Sequence, residues 1–200
     1  MDFGDVKDVN HLFGRLYPYI ARQILDAYGR DEGLALEIGP YGPGISIAIS
    51  NLCPKMKITV GDDYPGIIDY FRQELEAASL AHRIEIKELD KFNLPYAEGS
   101  FDLVYFRGAL FFWEKEAQIL KEMYRVLKPG GVALAGGGFG ASTPDEVISE
   151  ILDRSHELNR RLSKRVLSDS ELTSILAEAG LTDSAQWDKR HGLWVVLRRS

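Results

Sequence analysis

Short apolar runs alternate with amphipathic stretches along most of this chain, and that alternation leaves few folds open. LALEI (34–38) precedes the helix-like GISIAISNL, and KITVG (57–61) precedes PGIIDYFRQELEAASL. RIEIKEL (83–89) and FDLVYF (101–106) follow, then the amphipathic EKEAQILKEMYRVL, in which Ile119, Met123 and Val126 share a face. KPGG reads as a stop, VALAGGGFG as a fifth strand, and Pro144 to Leu167 as mostly helical. SDSELTSILAEAG opens with Ser168 and Glu171 at capping-box spacing and closes on Gly180. DSAQWDKR and GLWVVLRR read as two last strands turning near His191–Gly192. Ahead of all this, Leu12, Leu16, Ile20 and Ile24 fall four apart on one helix face; Pro18 marks a fresh start and Gly29 a stop. The expected fold class is α/β, a doubly wound three-layer sandwich with a mostly parallel sheet and an N-terminal helical segment. In such sheets ligands sit beyond the carboxyl ends of the strands.

The stretch ALEIGPYGPGIS (35–46) is therefore the first place to look. Gly39, Gly42 and Gly44 form G-x-x-G-x-G between a strand and a helix, where backbone N–H groups are free to meet a ligand. After the second strand come Asp62 and Asp63, about 20 residues beyond the glycines, where an acid can accept both ribose hydroxyls. Asp63 also reads as a cap for the helix starting near Pro65.

Composition narrows the partners. The 200 residues suit one domain, and a net charge of −6 argues against nucleic acid and anionic membranes. Arg160, Arg161, Lys164 and Arg165 cluster, and read as a solvated helix face. Cys53 stands alone, so no internal disulfide forms, and it shares no ligand spacing with His11, His82, His156 or His191, so no metal site is expected. The acidic MDFGDVKDVN lacks the apolar core of a signal peptide, and no apolar run reaches membrane-spanning length. The expected location is the cytoplasm.

LEIGPYGPG, VGDDYP, KELDKFNLPYAEGSFDLVYFRGALFFW and YRVLKPGGVAL, in that order, resemble the class I S-adenosylmethionine-dependent methyltransferases, in their domain 11/25 group. The resemblance covers roughly residues 33–137, and LP-Y-AEGSFDLV followed by RVLKPGG is its most specific part. It implies a Rossmann-like, seven-stranded sheet with an antiparallel last strand, and S-adenosyl-L-methionine as cofactor, released as S-adenosyl-L-homocysteine. Residue by residue, it implies that Glu37 positions the methionine end of the cofactor, above a loop of Gly39, Pro40, Tyr41, Gly42 and Gly44. Asp62 corresponds to the ribose acid. Asp90 corresponds to the acid at the adenine amino group, between Leu89 and the Lys91 backbone. The backbone of Arg107 and Gly108 corresponds to positions touching the methionine moiety. Asp102 and Lys128–Gly131 correspond to structural positions. Two departures stand out: either Tyr41 replaces a middle glycine or one residue is inserted and compensated later, and Asp63 stands where an apolar residue usually meets adenine, leaving Tyr64 or Phe92 to supply that surface.

Transfer of such a methyl group is an in-line displacement that asks for alignment and desolvation rather than a metal. No catalytic residue is named by the sequence, and a histidine common in relatives is replaced by phenylalanine near Phe111–Phe112. Candidates on the side of a small-molecule acceptor are Tyr17 and Tyr19 in the N-terminal lid, Phe112 and Trp113 after the fourth strand, and Phe139 after the fifth. An aromatic box of this kind is expected to favour a positively charged or a sulfur or nitrogen acceptor. No N-P-P-Y or D-P-P-Y tetrapeptide follows the fourth strand. Alternatives are a non-catalytic cofactor-binding module or partner-activating subunit and, further off, a nicotinamide oxidoreductase, whose G-x-G-x-x-G this chain lacks.

Overall fold

The computed structural model describes residues 3–200. Seven strands form one sheet: β1 (Glu32–Ile38), β2 (Lys55–Gly61), β3 (Ile84–Lys87), β4 (Phe101–Arg107), β5 (Leu127–Gly138), β6 (Ala185–Asp188) and β7 (Gly192–Arg198). Their order is β3-β2-β1-β4-β5-β7-β6. All neighbours pair in parallel except β7, which runs antiparallel to both β5 and β6. The last strand is thus the reversed one, wedged between its own hairpin partner and β5.

The helices are α1 (Phe3–Phe13), α2 (Tyr17–Tyr28), α3 (Gly44–Leu52), α4 (Ile67–Ala77), α5 (Glu116–Arg125), α6 (Asp145–Arg161) and α7 (Asp169–Ala179). Apolar residues on the two sheet faces build two cores. One gathers Ile20, Ile24, Ile45, Ile49, Phe71 and Leu134; the other gathers Leu36, Val104, Ile119, Met123, Leu172 and Val195. Burial on both faces explains why the central strands read as unbroken apolar runs.

Local signals act as their chemistry dictates. Pro18 sits in the first turn of α2, where a missing N–H costs nothing, and Gly29 closes that helix in the left-handed region at φ 74°. Ser168 Oγ accepts from the Glu171 N–H while the Glu171 carboxylate accepts from the Ser168 N–H, completing the capping box of α7. Two expectations differ. Helix α1 already runs from Phe3, nine residues before Leu12, the first periodic residue read from the sequence. KPGG does not lie outside the sheet: it belongs to β5, and the β4–β5 register slips between Phe101 and Leu103 to absorb it. Asp102 is structural, accepting from the Leu34 N–H at 2.9 Å and Lys128 Nζ at 2.7 Å, which ties β4 to β1 and to this turn.

Candidate cofactor seat and acceptor cavity

The loop after β1 lies at the carboxyl end of the sheet, as expected. Gly39 has φ 107°, and a Cβ there would run into the Phe106 ring, so only glycine turns the chain so close to β4. At Gly44 a Cβ would run into the Tyr17 ring, so the N-terminal lid rests directly on the start of α3. Gly39, Pro40, Tyr41, Gly42 and Pro43 are all buried beneath this cover.

Glu37, at the end of β1, is 1% exposed and accepts from both the N–H and the hydroxyl of Ser46. Burial pushes its carboxyl up to about 7, although the Ser46 bonds pull the other way. Tyr105 Oη shares the Ser46 hydroxyl at 2.8 Å. Asp62, at the end of β2, is fully buried; its Oδ1 accepts from the Tyr64 N–H at 2.9 Å. Lys91 Nζ reaches in from beyond β3 and lies 3.2 Å from Asp62 Oδ2, but at an angle that leaves this oxygen without a directed hydrogen bond. Burial pushes Asp62 up to about 6 against the pull of Lys91. The same ammonium pairs with Asp63 and lies 4.8 Å from the Trp113 ring centroid. Asp63 does not cap α4, whose N-cap is Gly66. The exposed Asp90 accepts from the Phe92 N–H at 2.8 Å, shaping its own turn beside the buried Leu89.

Beside this seat lies a cavity of about 210 Å³. The loops after β4 and β5 wall it with Gly108, Phe111, Phe112 and Phe139; α1 adds Val9 and Phe13, and α6 with its following loop adds Ser155, His156, Asn159 and Lys164. Tyr41 also lines it. Its ring packs on Gly108 and stands 5.8 Å from that of Phe112, so the side chain at the odd position of the glycine loop projects toward the cavity and divides it from the loop.

Of the residues that the sequence assigned to the cofactor, Tyr41, Arg107 and Gly108 line the cavity. Asp62, Asp63 and Lys91 are joined to one another by ion pairs. Of the acceptor candidates, Phe112 and Phe139 line the cavity, whereas Tyr17, Tyr19 and Trp113 do not. Tyr17 seals the loop and donates to Asn10 Oδ1; Tyr19 lends its backbone to the wall around Gly140; Trp113 packs 6.1 Å from Phe106.

Two readings of charge are corrected. The basic cluster at 160–165 is not one solvated face: Arg161 pairs with Asp5 and Asp8 of α1, Arg165 pairs with Glu116, and Lys164 turns into the cavity. The aromatic rings do not offer an open seat for a cation. Arg107 already lies 4.4 Å from the Phe13 centroid and Lys164 4.3 Å from that of Phe111, and both charges repel a cationic guest. The side chains of Arg107, Lys164 and Asn159 carry no signal in sequence spacing; only the approach of α6 to the loop after β4 reveals them.

The donor set fits a methionine–nucleoside ligand. Asp62 Oδ2 is a buried acceptor without a directed partner, and Glu37 is a buried acid beside the loop, suited respectively to hydroxyl and ammonium donors. Among the described residues no group of His, Cys, Asp and Glu is placed to hold a metal, and no described helix is long and apolar enough to cross a membrane.

Comparison with known proteins agrees. A family model described as "Methyltransferase domain" matches residues 36–135. A demethylmenaquinone methyltransferase of Lactobacillus johnsonii is 30% identical over 142 residues, covering 62% of this chain and 58% of that protein. A ubiquinone/menaquinone biosynthesis C-methyltransferase of Geotalea daltonii is 31% identical over 101 residues, covering 50% of this chain and 43% of its own. The chain spans about half the length of the curated relatives it matches. A solved structure from Methanococcus maripaludis, provisionally described as an S-adenosyl-L-methionine-dependent methyltransferase, superposes with a TM-score of 0.80 at 28% identity, covering 98% of this chain and 92% of that one. The match spans β1 through most of β5, where the glycine loop, Glu37 and Asp62 stand, and the chain belongs to the methyltransferase domain family, whose cofactor is S-adenosylmethionine.

Proposed function

We propose that this protein transfers a methyl group from S-adenosylmethionine to a small molecule held in the cavity. The observation that carries the reading is the junction at Tyr41: its ring stands between the glycine loop, next to Glu37 at the end of β1, and an aromatic cavity built by the loops after β4 and β5. When bound, the cofactor supplies a sulfonium methyl whose departure leaves a neutral thioether.

The chain's own residues divide the work. Glu37 receives the amino end of the methionine, with the backbone of Arg107 and Gly108 opposite. Asp62 accepts the ribose hydroxyls, which requires Lys91 to give up part of its hold on that carboxylate. Asp90, the Lys91 backbone, Leu89, Phe92 and Tyr64 bound the adenine, with Asp63 retaining Lys91. Phe111, Phe112 and Phe139 exclude water from the acceptor and fix its line of approach. In this reading residues 1–200 form one methyltransferase domain: 1–30 cap it, 33–137 hold the cofactor, 140–167 face the acceptor, and 168–200 close the sheet. The family assignment sets the nicotinamide reading aside. The lone Cys53 supports a reducing, cytoplasmic setting.

Calorimetry with S-adenosylmethionine, S-adenosylhomocysteine and NAD, followed by transfer of labelled methyl into a small-molecule extract, tests this. Micromolar binding of both sulfur ligands, no NAD binding and label in a small molecule are expected. Binding without label would make the protein a non-catalytic cofactor-binding module. Binding of NAD alone would sink the proposal.

A further inference from the structure

Arg107 is 7% exposed, lines the cavity, and forms no ion pair with any described acid. Its Nε is buried without a hydrogen-bond partner. The guanidinium lies against ring faces, 4.4 Å from the Phe13 centroid, 5.6 Å from that of Tyr41 and 5.9 Å from that of Tyr17, and feels the Glu37 carboxyl only through space. Buried charges in proteins are paired as a rule, because an isolated one loses its hydration without compensation. A second cation lines the same cavity: Lys164 has no described acidic partner and rests on Phe111. No described Asp or Glu lines the cavity, and its remaining polar side chains, Tyr41, Ser155, His156 and Asn159, are all of types that can donate hydrogen bonds.

We infer that the cavity takes a compact organic anion, its carboxylate or phosphate seated between Arg107 and Lys164 and its apolar body against Phe111, Phe112 and Phe139. The inference rests on reading this cavity as the acceptor side of a methyltransferase. The planar fork of Arg107 suits a bidentate anion, and the rings around it hold the fork in place before the anion arrives. Lys164 supplies the second contact from the far wall. The cavity is smaller than the ~300–1,000 Å³ common for drug-sized ligands, which favours an acid of one ring or similar bulk. The anion on the guest answers two charges that the fold leaves unanswered, so it sets specificity, while the aromatic walls set shape.

The test is calorimetry on the S-adenosylhomocysteine-loaded protein, using benzoate and phenyl phosphate against the neutral methyl benzoate and benzyl alcohol. At least one anion should bind about tenfold or more tightly than both neutral probes, as loss of one charged hydrogen bond implies. Lys164→Met, which keeps the stem on Phe111, should weaken the anion about tenfold and leave S-adenosylhomocysteine affinity unchanged; Lys164→Arg should restore anion binding. Which anion binds separates a carboxylate guest from a phosphate one. Neutral probes binding as well as the anions, or no anion binding in either the loaded or the free protein, overturns the inference. So does Arg107→Met weakening only S-adenosylhomocysteine, which would give the guanidinium to the cofactor. Anion binding in a protein that takes no S-adenosylhomocysteine would uphold the anion seat and overturn the methyltransferase reading instead.

Discussion

Glu37 shows how one buried acid couples the seat to the stability of the whole chain. Its carboxyl is raised from an ordinary 4.5 to about 7 by burial. Between those values the folded protein holds a proton that the unfolded chain has lost. Stability contributed by Glu37 is therefore full below the lower value and falls as pH climbs to the upper one, by about 3 kcal/mol in all. Glu37→Gln, whose amide oxygen still accepts from Ser46, should flatten this decline. Urea unfolding at pH 5 and pH 8 measures it: the midpoint of the parent protein should drop more steeply than that of the variant. Asp62 is shifted in the same sense, so a smaller slope remains in the variant. An equal slope in both proteins would mean that Glu37 ionises as freely as in the unfolded chain. Lys91 stands on the other side of the seat. Lys91→Met leaves Asp62 buried and unpaired, a loss of about 3 kcal/mol at neutral pH. Denaturant midpoints at pH 8 and pH 4.5 check this, because protonation of Asp62 should erase most of the difference.

At the scale of elements, the N-terminal helices decide access. Tyr17 on Gly44 and Phe13 beside Arg107 show α1 and α2 covering both the loop and the cavity mouth. Helix α1 is fastened to α6 by exposed ion pairs, Arg161 to Asp5 at 3.1 Å and to Asp8 at 2.5 Å, with Arg15 to Glu150 beyond. Exposed pairs add little to global stability, at most about 1 kcal/mol, but they join α1 directly to α6. Arg161→Ala should leave the unfolding midpoint nearly unchanged and speed hydrogen exchange across α1 several-fold, with α2 and α3 unaffected. Uniform acceleration through α1, α2 and α3 would show that the lid does not open by itself. These elements also show what sequence can carry. The inner strands were readable because burial on two faces leaves unbroken apolar runs, whereas the more exposed edge strands β3 and β6 were readable from alternation and from the turn that follows β6. The start of α1 was not, since Gly4 and Asp5 before Val6, and Lys7 and Asp8 between Val6 and Val9, dilute the apolar pattern. The glycine loop and Asp62, as candidates, announced themselves through local spacing. Lys164 did not, because its direction depends on how α6 crosses the loop after β4, more than fifty residues away in sequence.

Across the whole molecule, chemistry and cohesion occupy opposite ends of the sheet. The seat and the cavity use the carboxyl ends of β1, β2, β4 and β5. At the amino ends, Arg199, just past β7, donates to the carbonyls of Arg125 and Leu127, each at 2.8 Å, and pairs with Glu98. Arg125 in turn bonds the carbonyls of Tyr96 and Leu94 and the carboxylate of Glu122. The reversed last strand thus stitches the start of β5, the end of α5 and the long loop before β4 into one block. This arrangement separates two costs that a single site would combine. Loops at the carboxyl ends must yield for ligands to enter, whereas the amino ends bear no such demand and are cross-linked by arginines. Arg199→Ala removes the partners of two carbonyls and should cost about 2 kcal/mol, read as a lowered urea midpoint with an unchanged slope. The same variant should bind S-adenosylhomocysteine with the affinity of the parent at a temperature where both are folded. A weakened cofactor affinity in the folded variant would show instead that the two ends of the sheet are coupled, and that the amino-end block helps set the end of β1 at Glu37 and the loop that begins at Gly39.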